Sequence, residues 1–148
     1  MGLDMYLSAK KYLWKIDESD AQVSKEIQER INVRRRVKEV VIEAAYWRKA
    51  NQIHGWFVRN VQDGEDDCNP YDVARSDLVA LLDACRKVLE NRKLAAKLLP
   101  PAEGFFFGRY EYDDSYFEDV QRTADGLAAL LEAVPEGSGW WFEYQSSW

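Results

Sequence analysis

Residues 37–61 read VKEVVIEAAYWRKANQIHGWFVRNV, and the two halves of this stretch have different hydrophobic patterns. The first half contains the β-branched run Val-Val-Ile at 40–42 and predicts a strand over residues 37–46. In the second half, apolar residues recur every three or four positions, which predicts a helix from about residue 47 to 61. A strand that leads directly into an amphipathic helix is typical of mixed folds.

The same two patterns continue on both sides of this stretch. Strands are expected over residues 3–14 and 140–144, and helical segments over 17–35, from Ser76 onward, over 93–99, and from a cap at Asp113 or Ser115. We therefore expect one α+β domain over residues 1–148, with a small antiparallel sheet of about three to four strands covered on one face by about three main helices.

Composition restricts the class of protein and its partners. The net charge of −6 divides unevenly, because residues 1–60 hold 12 Lys/Arg against 8 Asp/Glu while residues 61–148 hold 8 against 18. This balance disfavours broad binding to nucleic acid. The two cysteines have no ligand spacing and indicate reduced thiols in a cytoplasmic protein. No signal peptide or membrane-length apolar run is seen, so no membrane partner is expected.

The densest functional signal is the block at residues 46–58, which combines aromatic rings, cations, amides and the only histidine. Two interpretations stay open: the rings pack on the sheet with the polar groups in water, or the block binds a partner. On a helix that opens at Trp47, Arg48, Gln52 and Trp56 would lie on one face. The candidate binding residues of the block are Tyr46, Trp47, Arg48, Asn51, Gln52, His54 and Trp56.

Candidates for chemistry are fewer. His54 is the only imidazole, but no nucleophile signature accompanies it, and we predict no catalytic residue. The acidic loop at 63–67 does not follow the order of a calcium loop, so Asp66 and Asp67 are predicted to contribute charge to partner binding. Arg109 is a candidate for contacting phosphate, together with Arg48. We predict no metal and no cofactor.

Two further motifs call for an interpretation. The basic run Arg34–Arg36 fits either a phosphate or acidic partner, or a solvated guard at a sheet edge. The run Phe105-Phe106-Phe107 between two glycines predicts a short extended segment. Alternation in such a segment would bury Phe105 and Phe107 and leave Phe106 available for stacking.

Several motifs, in this order, resemble those of a widespread family of small bacteriophage and prophage proteins. They are the opening Met-Gly-Leu-Asp-Met-Tyr-Leu, the block at 46–61, the loop Asp-Gly-Glu-Asp-Asp-Cys at 63–68, Leu-Leu-Pro at 98–100, Gly-Phe-Phe-Phe-Gly at 104–108 and Glu-Tyr-Asp at 111–113. The resemblance implies a protein made in a bacterial cytoplasm, and it carries no catalytic residue. Residues 17–35 match nothing in the resemblance and are interpreted as a family-variable insertion.

Three functions follow as hypotheses. The first is a non-enzymatic binding protein that inhibits or redirects a host protein, such as an anti-defence (for example anti-CRISPR-like) inhibitor. The second is a protein that binds and sequesters a nucleotide-like small molecule, with aromatic rings on the base and Arg48 or Arg109 on the phosphate. The third, ranked last, is a metal-dependent enzyme acting on nucleotides or nucleic acid.

Overall fold

A computed structural model describes residues 2–148 of the protein, which contain one antiparallel sheet of four strands. The strands are β1 (Asp4–Tyr12), β2 (Glu39–Arg48), β3 (Tyr71–Val73) and β4 (Trp140–Ser147), in the order β2-β1-β4-β3. The predicted α+β class with a small antiparallel sheet is confirmed.

In the sequence, the helices alternate with the strands or follow one another between them. They are α1 (Glu18–Arg30), α2 (Asn51–Asn60), α3 (Arg75–Glu90), a 3-10 turn (Arg92–Leu94), α4 (Ala95–Leu98) and α5 (Asp114–Ala133). The apolar stripes predicted from the sequence face the core, since Leu78 and Leu81 of α3 and Val120 of α5 are fully buried. Within residues 2–148, no helix combines the length and the apolar character needed to cross a bilayer.

The core lies on one face of the sheet. Met5 and Leu7 of β1 are fully buried, whereas Tyr6 between them is 40% exposed on the other face. Phe57 of α2 stacks on Tyr144 of β4 with ring centroids 3.9 Å apart, which joins α2 to the middle of the sheet. The indole of Trp47 in β2 contacts Thr123 of α5 on the same face, and α3 packs against α5. Helices α2, α3 and α5 therefore cover a single face.

Some predicted boundaries are wrong. Strand β2 continues through Trp47 and Arg48, and α2 begins only at Asn51. Lys49, with a φ of 59°, makes the bend between the two elements. The predicted cap at Ser76 is also wrong, because α3 starts at Arg75, one residue earlier.

The run of phenylalanines differs most from its prediction. Phe105 was expected to be buried but is 80% exposed, and Phe106 is 53% exposed. The segment is a turn rather than a strand: Phe106 has a φ of 63° and the N–H of Phe107 donates to the carbonyl of Gly104. A turn does not alternate its side chains, so only Phe107 reaches the core.

Helix α1 lies within the segment interpreted as an insertion, and side chains attach it to the sheet. Asp17 caps its first turn by accepting from the N–H of Asp20 at 2.9 Å. Asp20 accepts from the N–H of Trp14 at 3.1 Å and contacts Lys11 at 3.2 Å. Ser24 donates to the carbonyl of Val37 at 2.7 Å, just before β2.

Candidate functional site

The block at residues 46–58 lies mostly inside the protein. Five of its seven candidate binding residues are less than a tenth exposed: Trp47, Asn51, Gln52, His54 and Trp56. Tyr46 points to the outer face of the sheet, where it donates to Asp4, and only Arg48 and its neighbour Lys49 face solvent beside α2. The predicted face shared by Arg48, Gln52 and Trp56 does not form, because Arg48 belongs to the strand.

Two amide side chains at the start of α2 hold the irregular backbone after α4 and the first turn of α5. The Asn51 amide nitrogen donates to the carbonyls of Phe107 at 3.1 Å and Arg109 at 2.7 Å, and its oxygen accepts from the N–H of Ala102 at 3.1 Å. Gln52 donates to the carbonyl of Tyr116 at 3.3 Å. The Asn51 amide supplies the hydrogen bonds that secondary structure would otherwise provide to this segment, because buried backbone groups must find partners.

His54 is fully buried and both of its ring nitrogens are engaged. Nδ1 lies 2.8 Å from the hydroxyl of Tyr144, and Nε2 lies 3.0 Å from a carboxylate oxygen of Asp66. Burial raises the pKa of Tyr144 well above its ordinary value. The other oxygen of Asp66 accepts from the indole of Trp148 at 3.0 Å. This chain of contacts ties the loop after α2 and the last residue of the chain to the core.

The two tryptophans of the block are core residues. The indole N–H of Trp47 donates to the hydroxyl of Thr123 in α5 at 2.8 Å, so its one polar atom is satisfied inside. Trp56 packs edge-on against Phe57. A methyl group at Gly55 would lie 2.9 Å from the side chain of Ala102, which shows how closely the irregular segment approaches α2.

Asp67 organises its own loop. Its carboxylate accepts from the backbone N–H of Asn69 at 3.0 Å, from the amide of the same residue at 2.6 Å and from the hydroxyl of Tyr71 at 3.0 Å. These hydrogen bonds, that of the backbone N–H first, lower the pKa of Asp67. Over residues 2–148, no group of three or more His, Cys, Asp or Glu side chains is placed to hold a metal ion.

The exposed residues around this buried block form a patch that we call the Phe-loop surface. It comprises Arg48, Lys49, Phe105, Phe106 and Arg109. Three of these residues lie close together around Gly2. A methyl group on Gly2 would be 3.1 Å from Cε of Lys49, 3.7 Å from a guanidinium nitrogen of Arg48 and 3.8 Å from the carbonyl oxygen of Phe106. Neither Phe105 nor Lys49 was among the predicted binding residues. The two glycines around the phenylalanines were the available signal for a turn.

A cavity of about 310 Å³ adjoins this surface. Its lining brings together three of the predicted binding residues, Arg48, Gln52 and Arg109, and adds carboxylates near the start of α5. Asp113 caps that helix, and the N–H of Tyr116, followed by Arg109, lowers the pKa of Asp113. The lining thus combines cations with acids.

Comparison of the chain with family models, with curated proteins and with solved structures finds no match. The fold and the geometry of the site therefore carry the functional argument. They define a small α+β protein whose conspicuous polar block is internal and fixes an external aromatic loop.

Proposed function

We propose that this chain is a non-enzymatic binding protein, encoded by a phage or prophage, that inhibits or redirects a host protein such as a defence component. The observation that carries the proposal is the Phe-loop surface. Two phenylalanines, 80% and 53% exposed, project from a loop that Asn51 fixes from inside. Large aromatic side chains held in this way are typical anchors of protein interfaces.

The energetics favour an apolar pocket on the partner. Fully burying a phenylalanine side chain contributes roughly 1.5–3 kcal/mol, so the pair supplies a substantial part of a binding free energy. A fixed loop reduces the entropy that association would otherwise lose. Arg48, Lys49 and Arg109 add positive charge, and the exposed fraction of the Arg109 side chain is 80%. We therefore expect a partner with an acidic rim around an apolar pocket.

The biological setting rests on the family resemblance, which implies expression in the cytoplasm of a bacterial host. A catalytic role has weaker support, because the only imidazole is fully buried with both nitrogens engaged. Its two nitrogens contact Tyr144 and Asp66, which join the core to the loop after α2.

Native mass spectrometry after incubation in a lysate of the bacterial host tests the proposal. We expect the wild-type protein to gain the mass of a polypeptide, and the double variant Phe105→Ser/Phe106→Ser to lose that gain. Trp141→Ser is the matched control, because Trp141 is an aromatic residue exposed on the outer face of the sheet. A polypeptide retained equally by all three proteins would contradict the role of the Phe-loop surface.

A second candidate function is the binding of a nucleotide-like anion, and the 310 Å³ cavity favours it. Arg48, Lys49 and Arg109 would contact phosphate there, with Gln52 as a directional hydrogen-bonding group. The same experiment separates the two functions. A gain of a few hundred daltons that Arg109→Ala abolishes, and that the phenylalanine variant retains, would identify small-molecule capture.

A further inference from the structure

Strand β2 is an edge strand of the sheet, since β1 is its only neighbour in the strand order. It is ten residues long, and Val41 and Ile42 in its first half are 53% and 39% exposed. An edge of this length presents unpaired backbone groups, and exposed β-branched side chains make it a template for pairing with another strand.

A bulge in the middle of β2 sets which side chains face the core. Leu7 pairs with Ala45 and the next residue of β1 pairs with Glu43, so Ala44 is the extra residue. The alternation therefore changes phase at Ala44. Inner positions are Val40, Ile42, Ala45 and Trp47, and outer positions are Glu39, Val41, Glu43, Tyr46 and Arg48.

The second half of β2 borders an open groove against α5. The groove has a volume of about 320 Å³ and is lined by residues 44–48 of β2 and by Arg122, Thr123, Gly126 and Leu127 of α5. Gly126 leaves space there, because a methyl group at its Cα would meet no atom within 4 Å. The first half of β2 thus has exposed apolar side chains, and the second half forms one wall of an open groove.

We propose that β2 pairs antiparallel with β2 of a second copy of this chain, in the register centred between Glu43 and Ala44. In this register Ile42 lies opposite Ala45 of the second copy, and Val40 lies opposite Trp47. A two-fold axis therefore brings the uncovered Ile42 of each copy to the groove of the other on the inner face. The two four-stranded sheets then form one continuous sheet of eight strands.

The faces and the charges of the strand favour this register. Because the bulge lies at the centre, every inner residue meets an inner residue, and a shift by one position would pair inner with outer side chains. On the outer face, Val41 lies opposite Tyr46, and Glu39 lies opposite Arg48 at both ends of the pairing. Opposite charges at directly facing positions stabilise an antiparallel pair. The inference does not rest on the proposed function, because it requires no host protein.

Sedimentation velocity of the purified full chain tests the pairing. The protein concentration is raised to about 200 µM, because a dimer with a micromolar Kd is almost fully formed there. We expect the wild-type protein to form a dimer. Gly126→Leu fills the groove and should raise the dimer Kd by about tenfold or more. Gln121→Leu places the same side chain at an exposed position of α5 outside the groove and should leave the Kd unchanged. Circular dichroism checks that both variants fold.

The register has its own test. Glu39→Arg places like charges together at both ends, and so does Arg48→Glu, so each variant alone should dimerise about tenfold more weakly. An equimolar mixture of the two should recover the dimer, because every facing pair is then of opposite charge. A wild-type chain that stays monomeric at all concentrations would overturn the proposal. So would a dimer that Gly126→Leu leaves intact, or a mixture that shows no recovery.

Discussion

Replacing Asn51 by alanine should detach the irregular segment from the core. The side chain is 1% exposed and makes three hydrogen bonds of 2.7–3.1 Å to backbone groups of Ala102, Phe107 and Arg109. A typical hydrogen bond contributes about 1 kcal/mol net, and a buried group left without a partner costs about 1–3 kcal/mol. Because the loop can move outward and hydrate some of these groups, we expect a total loss of about 3 kcal/mol.

Urea unfolding followed by tryptophan fluorescence measures this loss, and the exchange of the Ala102 amide hydrogen reports the loop itself. Asn60→Ala is the matched control, since Asn60 is an exposed asparagine at the other end of α2 whose side chain makes one hydrogen bond, at 2.8 Å to the carbonyl of Trp56. The control should change the free energy of unfolding by about 1 kcal/mol or less. If Asn51→Ala behaves like the control and the Ala102 amide stays protected, the anchoring role assigned to Asn51 is wrong.

Four other predictions concern stability and reactivity. Gly104→Ala should lower the free energy of unfolding by about 1–3 kcal/mol, because its methyl group would overlap the ring of the phenylalanine three residues later. Gly126→Ala should raise the free energy of unfolding by about 0.8 kcal/mol, since alanine is the better helix former and its methyl group would meet no neighbouring atom at this position of α5. Equal urea midpoints for Gly104→Ala and Gly126→Ala would contradict both assignments. Burial raises the pKa of the Cys85 thiol to about 12, so a thiol reagent at about pH 8 should modify the partly exposed Cys68 in the native protein and Cys85 only after unfolding. A backbone N–H and then a lysine ammonium lower the pKa of Asp20, so its contribution is present above about pH 4 and is lost as the pH falls through the folded-state pKa. Asp20→Asn should therefore be less stable than the wild type at neutral pH, with a difference in urea midpoint that closes in acid; a constant difference would refute this.

The elements predicted best are those that local pattern determines. The apolar stripe that includes Leu78 and Leu81 lies on α3, and Asp113 caps α5 by accepting from the N–H of Tyr116 at 3.0 Å. The sheet was predictable as antiparallel from its alternating strands. The junction between β2 and α2 was not, because β-branched and helical patterns overlap across Trp47 and the bend occurs at a non-glycine residue with positive φ.

The internal position of the polar groups in the block could not be predicted, because their partners are distant in the chain. Asn51 bonds to residues more than fifty positions away, and His54 bonds to Tyr144 across ninety positions. A sequence shows that such side chains require partners, but it does not show whether those partners are internal. For the same reason, Phe105 was placed in the core by alternation, which a turn does not follow.

Hydroxyl-radical footprinting with mass spectrometry tests most directly which aromatic groups are available to a partner. We expect fast oxidation of Phe105 and Phe106, with Phe107 as the protected control beside them, and strong protection of Trp47 and Trp56 until the protein unfolds. Rapid oxidation of the two tryptophans in the native protein, with Phe105 and Phe106 protected, would contradict the assignment of the Phe-loop surface as the binding surface. That result would indicate that the block at residues 46–58 forms the binding surface.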